Sequence, residues 1–326
     1  MNSLERIHAA IKGEYVDRIP VSMWRHFPDV DHSSRHFVGA LIAYQKKFDF
    51  DLIKVTPSSG YFGEIFGGNF DFKQNVIKKG VRENRNLVVR SNKEWKKIKD
   101  IEINNSILNR EIYTIKLLND ELENKVPIFQ TVPNAITVAR TLRGEGIFED
   151  IKGNSHELKE ALGYINGVIL DYSLSCLKAG ADGIFYFTQL ATYDLLSRKE
   201  YENFGKKYDE NILSELYNDA ILIFHIHGLN IMFDLVKDYK IHILNWHDRL
   251  TDPSLSDAKK IFSGAVLGGI NEDGVLLKGA NDEIKRQVSD AIKQTGGRSL
   301  IIGPGCVLPM NLPDEKLFTL KEALKI

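Results

Sequence analysis

The chain has 326 residues, 43% of them hydrophobic, enough to bury one large core, either as two ordinary domains or as one α/β barrel. Lysine plus arginine (43) nearly balances aspartate plus glutamate (44), for a formal net charge of −1, so no basic excess points to nucleic acid or an anionic membrane as partner. Two cysteines make no disulfide framework, and no apolar run approaches the roughly 20 residues needed to span a bilayer, so a cytoplasmic setting is the expectation.

Asn2 followed by Glu5 suits a capping box, and Leu4, Ile7, His8 and Ile11 then keep helical spacing. The chain is therefore expected to open on an amphipathic helix rather than a signal peptide. Ile19-Pro20 begins an extended segment, and beyond it short apolar runs alternate with helix-period segments, the pattern of a parallel sheet with crossover helices. The expected strands are VSMWRHF (21–27), DLIKVT (51–56), PIFQTV (127–132), DGIFYFTQ (182–189), AILIFHIH (220–227), HILNWHD (242–248), AVLGGI (265–270) and SLIIGPG (299–305). Apolar helix faces stand between them, with Phe37, Ala40, Leu41 and Tyr44 on one and Leu158, Leu162, Ile165 and Ile169 on another. A third has Ile284, Val288 and Ile292, stopped by Gly296-Gly297.

The stretch 58–125 breaks the alternation. It holds GYFGEIFGGNFDF, a polar run around Leu87, Val88 and Val89, and a helix-period segment near 106–120. It reads as a loop insertion with a small hairpin over the barrel mouth. Eight such strands predict an α/β chain folded over 1–326 as a single (β/α)8 TIM barrel, with the insertion after strand 2.

Catalytic groups of such barrels stand at the C-terminal ends of the strands. Here those ends carry Arg25 and His26, Lys54, Gln130, Gln189, His225 and His227, Asn245 with His247 and Asp248, Asn271, and Cys306. Residues two apart on a strand face the same way, so His225 and His227 share a face. With Cys306, about eighty residues on, they form a two-imidazole, one-thiolate set that leaves a zinc ion's fourth position open, as catalysis requires. The plain alternative is that the histidines hydrogen-bond within a polar mouth while Cys306 packs as a small apolar side chain.

Gly303-Pro304-Gly305 before Cys306 lets the backbone bend and approach a ligand closely. His247 is a candidate fourth ligand or acid/base, and Asp248 with Arg249 a candidate loop-holding pair. Arg25 offers a planar fork to a substrate anion or belongs to an ion pair. Glu64 reads as a solvated loop carboxylate, or as a group that enters the site if its loop closes. Cys176 reads as a buried structural thiol. His8, His32, His36, His156 and His242 receive no role.

DRIPVSMWR at the front, DFDLIKV, AGADGIFYFTQ, HIHG, GGINEDGVLLKGANDEIKRQV and GGRSLIIGPGCVLPMNLPDEKL together resemble the uroporphyrinogen decarboxylase superfamily over nearly the whole chain. The resemblance implies a (β/α)8 barrel. True decarboxylases of this kind work without metal and hold a tetrapyrrole's carboxylates with arginines of a front motif close to MRQAGRY, of which this chain keeps Arg25 alone. The resemblance is nearer to the zinc methyltransferases of the superfamily, which pass a methyl group from a methylated corrinoid protein to a thiol such as coenzyme M.

Their ligands are a His, a Cys two residues on, and a distant Cys in a Pro-Gly-Cys turn. His225 and Cys306 match, and His227 stands where the first Cys would be. Zinc with one thiolate and two neutral imidazoles carries a charge of +1, which lowers the pKa of a bound thiol further and holds its thiolate more tightly. What the resemblance implies is one catalytic zinc on His225, His227 and Cys306, with Arg25, Gln189 and His247 positioning a small thiol acceptor and a methyl-corrinoid, on a corrinoid protein, as donor. A metal-free decarboxylase acting on a tetrapyrrole, and a non-catalytic corrinoid- or tetrapyrrole-binding barrel, are the alternatives.

Overall fold

The structure, a computed structural model, describes residues 1–71, 79–123 and 125–325. Among these, nine strands form: β1 (Ile53–Val55), β2 (Asn69–Asp71), β3 (Glu83–Asn86), β4 (Ile128–Pro133), β5 (Gly183–Thr188), β6 (Ile221–Ile226), β7 (Ile243–Trp246), β8 (Ala265–Ile270) and β9 (Leu300–Pro304). β1 and β4 through β9 make one curled, seven-stranded sheet in the order β1-β4-β5-β6-β7-β8-β9, every neighbouring pair parallel. Helices in the crossovers cover its outer face, as a parallel sheet buried on both sides requires. No helix among the described residues is long and apolar enough to cross a membrane.

The inner face is filled by Leu52, just before β1, and by one side chain or two from each of β4 to β9, Phe129, Phe185, Ile223, Ile243, Ala265, Leu267 and Ile301, joined by Trp24. Ile7 and Ala10 of the first helix, α1 (Ser3–Lys12), belong to the same cluster, so this helix plugs one end of the sheet's interior. The expected capping box of Asn2 and Glu5 is present. With that end closed, the polar groups that follow the inward apolar residues gather at the other, C-terminal end.

The expected strand over 21–27 is the one that differs. Only Val21 makes a bridge, a parallel one to Ile302. Pro20 has no N–H, and the Val21 N–H is taken by the Asp51 carboxylate at 2.8 Å instead of a ladder partner. The short segment still meets both edges of the sheet. Ser22 N–H donates to Ile302 O (2.9 Å) and Asp51 N–H to Val21 O (2.8 Å). The Ser22 hydroxyl donates to Leu52 O at 3.0 Å. These contacts are consistent with a (β/α)8 barrel whose eighth stave is reduced to a bridge.

Between β1 and β4 lie a short helix (Tyr61–Glu64), the antiparallel β2–β3 pair, a 3₁₀ segment (Asn92–Asp100) and a long helix (Asn105–Leu122). Residues 72–78 of the expected insertion, and residue 124, fall outside the described residues.

Candidate metal centre

β6 and β7 are neighbours, and His225 pairs in register with Asn245. Both point inward, because Ile223 and Ile243, two residues earlier, belong to the interior cluster. The Asn245 amide has a fixed sense: its Nδ2 donates to Leu267 O (2.8 Å) and to Pro304 O (3.1 Å). Its Oδ1 must therefore accept, and it lies 2.6 Å from His225 Nδ1. This puts the His225 proton on Nδ1 and leaves the Nε2 lone pair free.

His227 follows β6, and Gly228 beside it takes φ +106°, which turns the chain away just after the imidazole. His247 follows β7 in the same way, and Cys306 follows β9. One donor atom from each of His225, His227, His247 and Cys306 lies within 4.8 Å of all the others, His225 being buried and the other three less so. His227 Nδ1 is 3.5 Å from His247 Nε2 and 3.7 Å from Cys306 Sγ. Bonds of about 2.1 Å to nitrogen and 2.3 Å to sulfur set N–N and N–S edges of roughly 3.4 and 3.6 Å around a tetrahedral ion, so the donor set fits such an ion.

Burial pulls both His225 and His227 below the usual imidazole range, with neighbouring imidazoles adding to the effect at His225 and the Lys79 ammonium at His227. Both rings are therefore neutral at pH 7, as metal ligands must be.

Glu272, at the turn after β8, is buried. Its carboxylate accepts from Gly305 N–H (3.1 Å) and from Lys79 (3.4 Å), and it stands 3.7 Å from His247 Nδ1. It thus supports two of the four donors from behind. Gly305 is required here, since a Cβ would come within 3.0 Å of His247 Cα and Nδ1. Sequence reasoning reached Asn271 but missed Glu272, whose only signal was an acid two residues past the end of β8.

The other expected site residues stand apart from this cluster. Arg25 folds back on its own segment, with Nε 3.5 Å from His26 O and its guanidinium over the Phe27 ring. Gln189 is exposed just past β5, and its backbone N–H donates to Thr137 Oγ1. Glu64 ends a short helix in the segment between β1 and β2. Asp248 accepts from Gly269 N–H (2.9 Å), while Arg249 binds Gly269 O and Asp290, so this pair fastens its loop to β8 and to the helix Asn281–Thr295. Cys176 is fully buried on the helix His156–Lys178.

The chain is 19% identical over 345 residues to a Methanosarcina acetivorans protein named Methylcobamide:CoM methyltransferase MtbA, covering 98% of this chain and 97% of that protein. It is 28% identical over 217 residues to a Geotalea daltonii protein named Uroporphyrinogen decarboxylase, covering 63% and 61%. Its fold matches that of a methyltransferase from Methanosarcina mazei with a TM-score of 0.84, at 19% identity over 100% of this chain and 98% of the other. The family profile described as Uroporphyrinogen decarboxylase (URO-D) matches residues 2–325. That match leaves almost nothing of the sequence outside it, and the chain belongs to the URO-D family of enzymes.

Proposed function

We propose that this chain is a zinc-dependent methyltransferase that moves a methyl group from a methyl-corrinoid donor to a thiol acceptor. The observation that carries the reading is the convergence of His225, His227, His247 and Cys306 donor atoms within 4.8 Å of one another at the ends of β6, β7 and β9. The relative named for methyl transfer between methylcobamide and CoM supports the choice of donor and acceptor. On this reading the whole chain is one (β/α)8 barrel domain with the 58–125 insertion at its mouth. It works in the cytoplasm, with a corrinoid protein as partner.

Zinc would be held by His225 Nε2, His227 Nδ1 and Cys306 Sγ, and when bound it supplies the Lewis acidity that keeps an acceptor sulfur as thiolate at neutral pH. The chain's own residues do the rest. Asn245 holds His225 in the ligating tautomer. His247 Nε2 faces the same point, and on the acceptor's arrival it takes the thiol proton. The Glu272 carboxylate, 3.7 Å from Nδ1, stabilises the imidazolium that results. Arg25 and Gln189 remain candidates for positioning the acceptor only if they turn inward on binding.

A tetrapyrrole decarboxylase would call for several cations facing the substrate's carboxylates, whereas the convergent cluster here is imidazole and thiol. The test is metal content of the purified protein beside His227→Ala and Cys306→Ala, followed by transfer of labelled methyl from methylcobalamin to thiols. Stoichiometric zinc in the parent, lost in both variants, with methyl appearing on a thiol, is expected. A parent that holds no metal, or zinc-loaded protein that methylates no thiol, overturns the proposal.

A further inference from the structure

Residues 79–82 run from the insertion to the rim of the candidate metal centre and are fastened at both ends. At one end the buried Arg82 guanidinium donates to both Asp31 carboxylate oxygens (2.8 Å each), to Ser58 Oγ (2.7 Å) and to Pro28 O (2.9 Å). The Arg82 backbone N–H donates to Ser59 Oγ at 2.7 Å. At the other end the Lys79 ammonium reaches two carboxylates of the turn after β8, Asp273 at 2.8 Å and Glu272 at 3.4 Å.

Between the two, Gly80 takes φ +73°. A Cβ there would come within 2.8 Å of His26 Cβ, 3.2 Å of Met310 Sδ and 3.3 Å of Pro28 Cδ, so only glycine lets the backbone lie this close. These contacts trace the path of the segment. Glu272, one of its anchors, also holds Gly305 N–H, and Met310 lies four residues past Cys306. The segment therefore runs alongside the turn that presents Cys306, and the Lys79 charge acts on both Cys306 and His227.

The two fastenings differ in strength. Arg82 grips a fully buried carboxylate with a planar two-pronged contact. Lys79 is partly exposed, its shorter contact is to the half-exposed Asp273, and its contact to buried Glu272 is long. A surface pair of this kind is worth little, so the segment parts first at Lys79.

We propose that residues 79–82 form a strap beside Cys306, hinged at Arg82 and latched by Lys79, which opens at the latch to admit a bulky methyl donor. The purpose of the opening rests on the reading of the site as a corrinoid-dependent methyltransferase; the strap itself does not. A corrinoid macrocycle is far wider than a small thiol, so the latch governs entry of the donor and leaves the acceptor's entry unaffected.

The reporter is Cys306 in metal-free protein, because Cys176, the other cysteine, is fully buried. Its labelling rate with pyrenylmaleimide is divided by its rate with N-ethylmaleimide. Both reagents are neutral, and any change in thiolate fraction cancels in the ratio. Free N-acetylcysteine sets the uncovered limit. The parent's ratio is expected to lie at least about 10-fold below that limit, and to rise roughly 10-fold in Lys79→Met, which removes a charge-assisted contact to a buried carboxylate. It should rise by a smaller factor in Asp273→Asn, which removes a surface pair, and return in Lys79→Arg. A parent at the uncovered limit overturns the strap, as do variants that keep the parent's ratio; Asp273→Asn decides alone if Lys79→Met does not fold. In zinc-loaded protein the opened variants should lower the KM for methylcobalamin by a similar factor and leave the thiol's KM unchanged. An unchanged methylcobalamin KM beside an altered labelling ratio overturns the donor gate. Zinc-loaded protein that transfers no methyl group overturns the methyltransferase reading instead, and the strap is still decided by the labelling.

Discussion

Asn245 sets the tautomer of His225. Because its Nδ2 is committed to two backbone carbonyls, its Oδ1 can only accept, and the imidazole beside it has one tautomer to adopt. Replacing Asn245 by Ala is expected to lower metal affinity by roughly 10–100-fold through the freed ring. It should also destabilise the fold by about 1–3 kcal/mol through two carbonyls left without donors. Chelator competition measures the first effect and urea denaturation of the metal-free protein the second. An unchanged metal affinity alongside the stability loss would show that the amide is only structural.

At this scale the histidines and Cys306 were legible because strand parity and a glycine-rich bend decide where they point. Glu272 was not, because the chain past β8 winds into a π-helical turn (Glu272–Leu276) that swings its carboxylate back under Gly305, and no local spacing announces that. Gln189 stands just past β5 as expected, while Arg25 lies beyond the Val21 bridge where no strand forms, and in neither case does position along the chain decide side-chain direction.

Among the elements, the seven long apolar runs became strands within a residue or two of where alternation and flanking turns put them, because burial on both faces leaves little choice of conformation. The run 21–27 has the same composition but a different competitor. Asp51 is fully buried and gathers Arg6 Nη1 (2.6 Å), Arg18 Nη1 (2.5 Å) and the Val21 N–H. One carboxylate thus ties α1, the bridging segment and the start of β1 together, and it takes the donor a longer strand would have needed. Removing it in Asp51→Ala leaves Arg18 and the Val21 N–H without this acceptor and the buried Arg6 with Asp17 alone. The expected loss is about 2–3 kcal/mol in urea denaturation, the worth of charge-assisted hydrogen bonds to a buried group. A loss under about 1 kcal/mol, the worth of a surface pair, would mean that the segment is held by packing alone.

Across the whole molecule, one carboxyl joins parts that the sequence keeps far apart. Asp209, fully buried outside the metal cluster, accepts from Tyr201 (2.6 Å), Asn134 (3.0 Å), Tyr239 (3.1 Å) and Tyr186 (3.2 Å). These partners come from β5, the end of β4, the helix after β5 and the approach to β7. No reading of local periodicity could find the set, since each tyrosine looks like an ordinary apolar position on its own element. All four donors are neutral, so burial outweighs them and raises the Asp209 carboxyl to about 6.

The folded protein therefore holds this proton more tightly than the unfolded chain, whose aspartate titrates near 3.8. The stability carried by the proton is complete below about pH 4 and is lost as pH rises through 6. The shift corresponds to about 3 kcal/mol. Asp209→Asn has no such titration, whatever constant offset the substitution brings. Urea denaturation from pH 4.5 to 7.5 should then show the parent losing roughly 2–3 kcal/mol relative to the variant as pH rises. A difference that stays flat across that range would mean the tyrosine cage stabilises the carboxylate as well as water does.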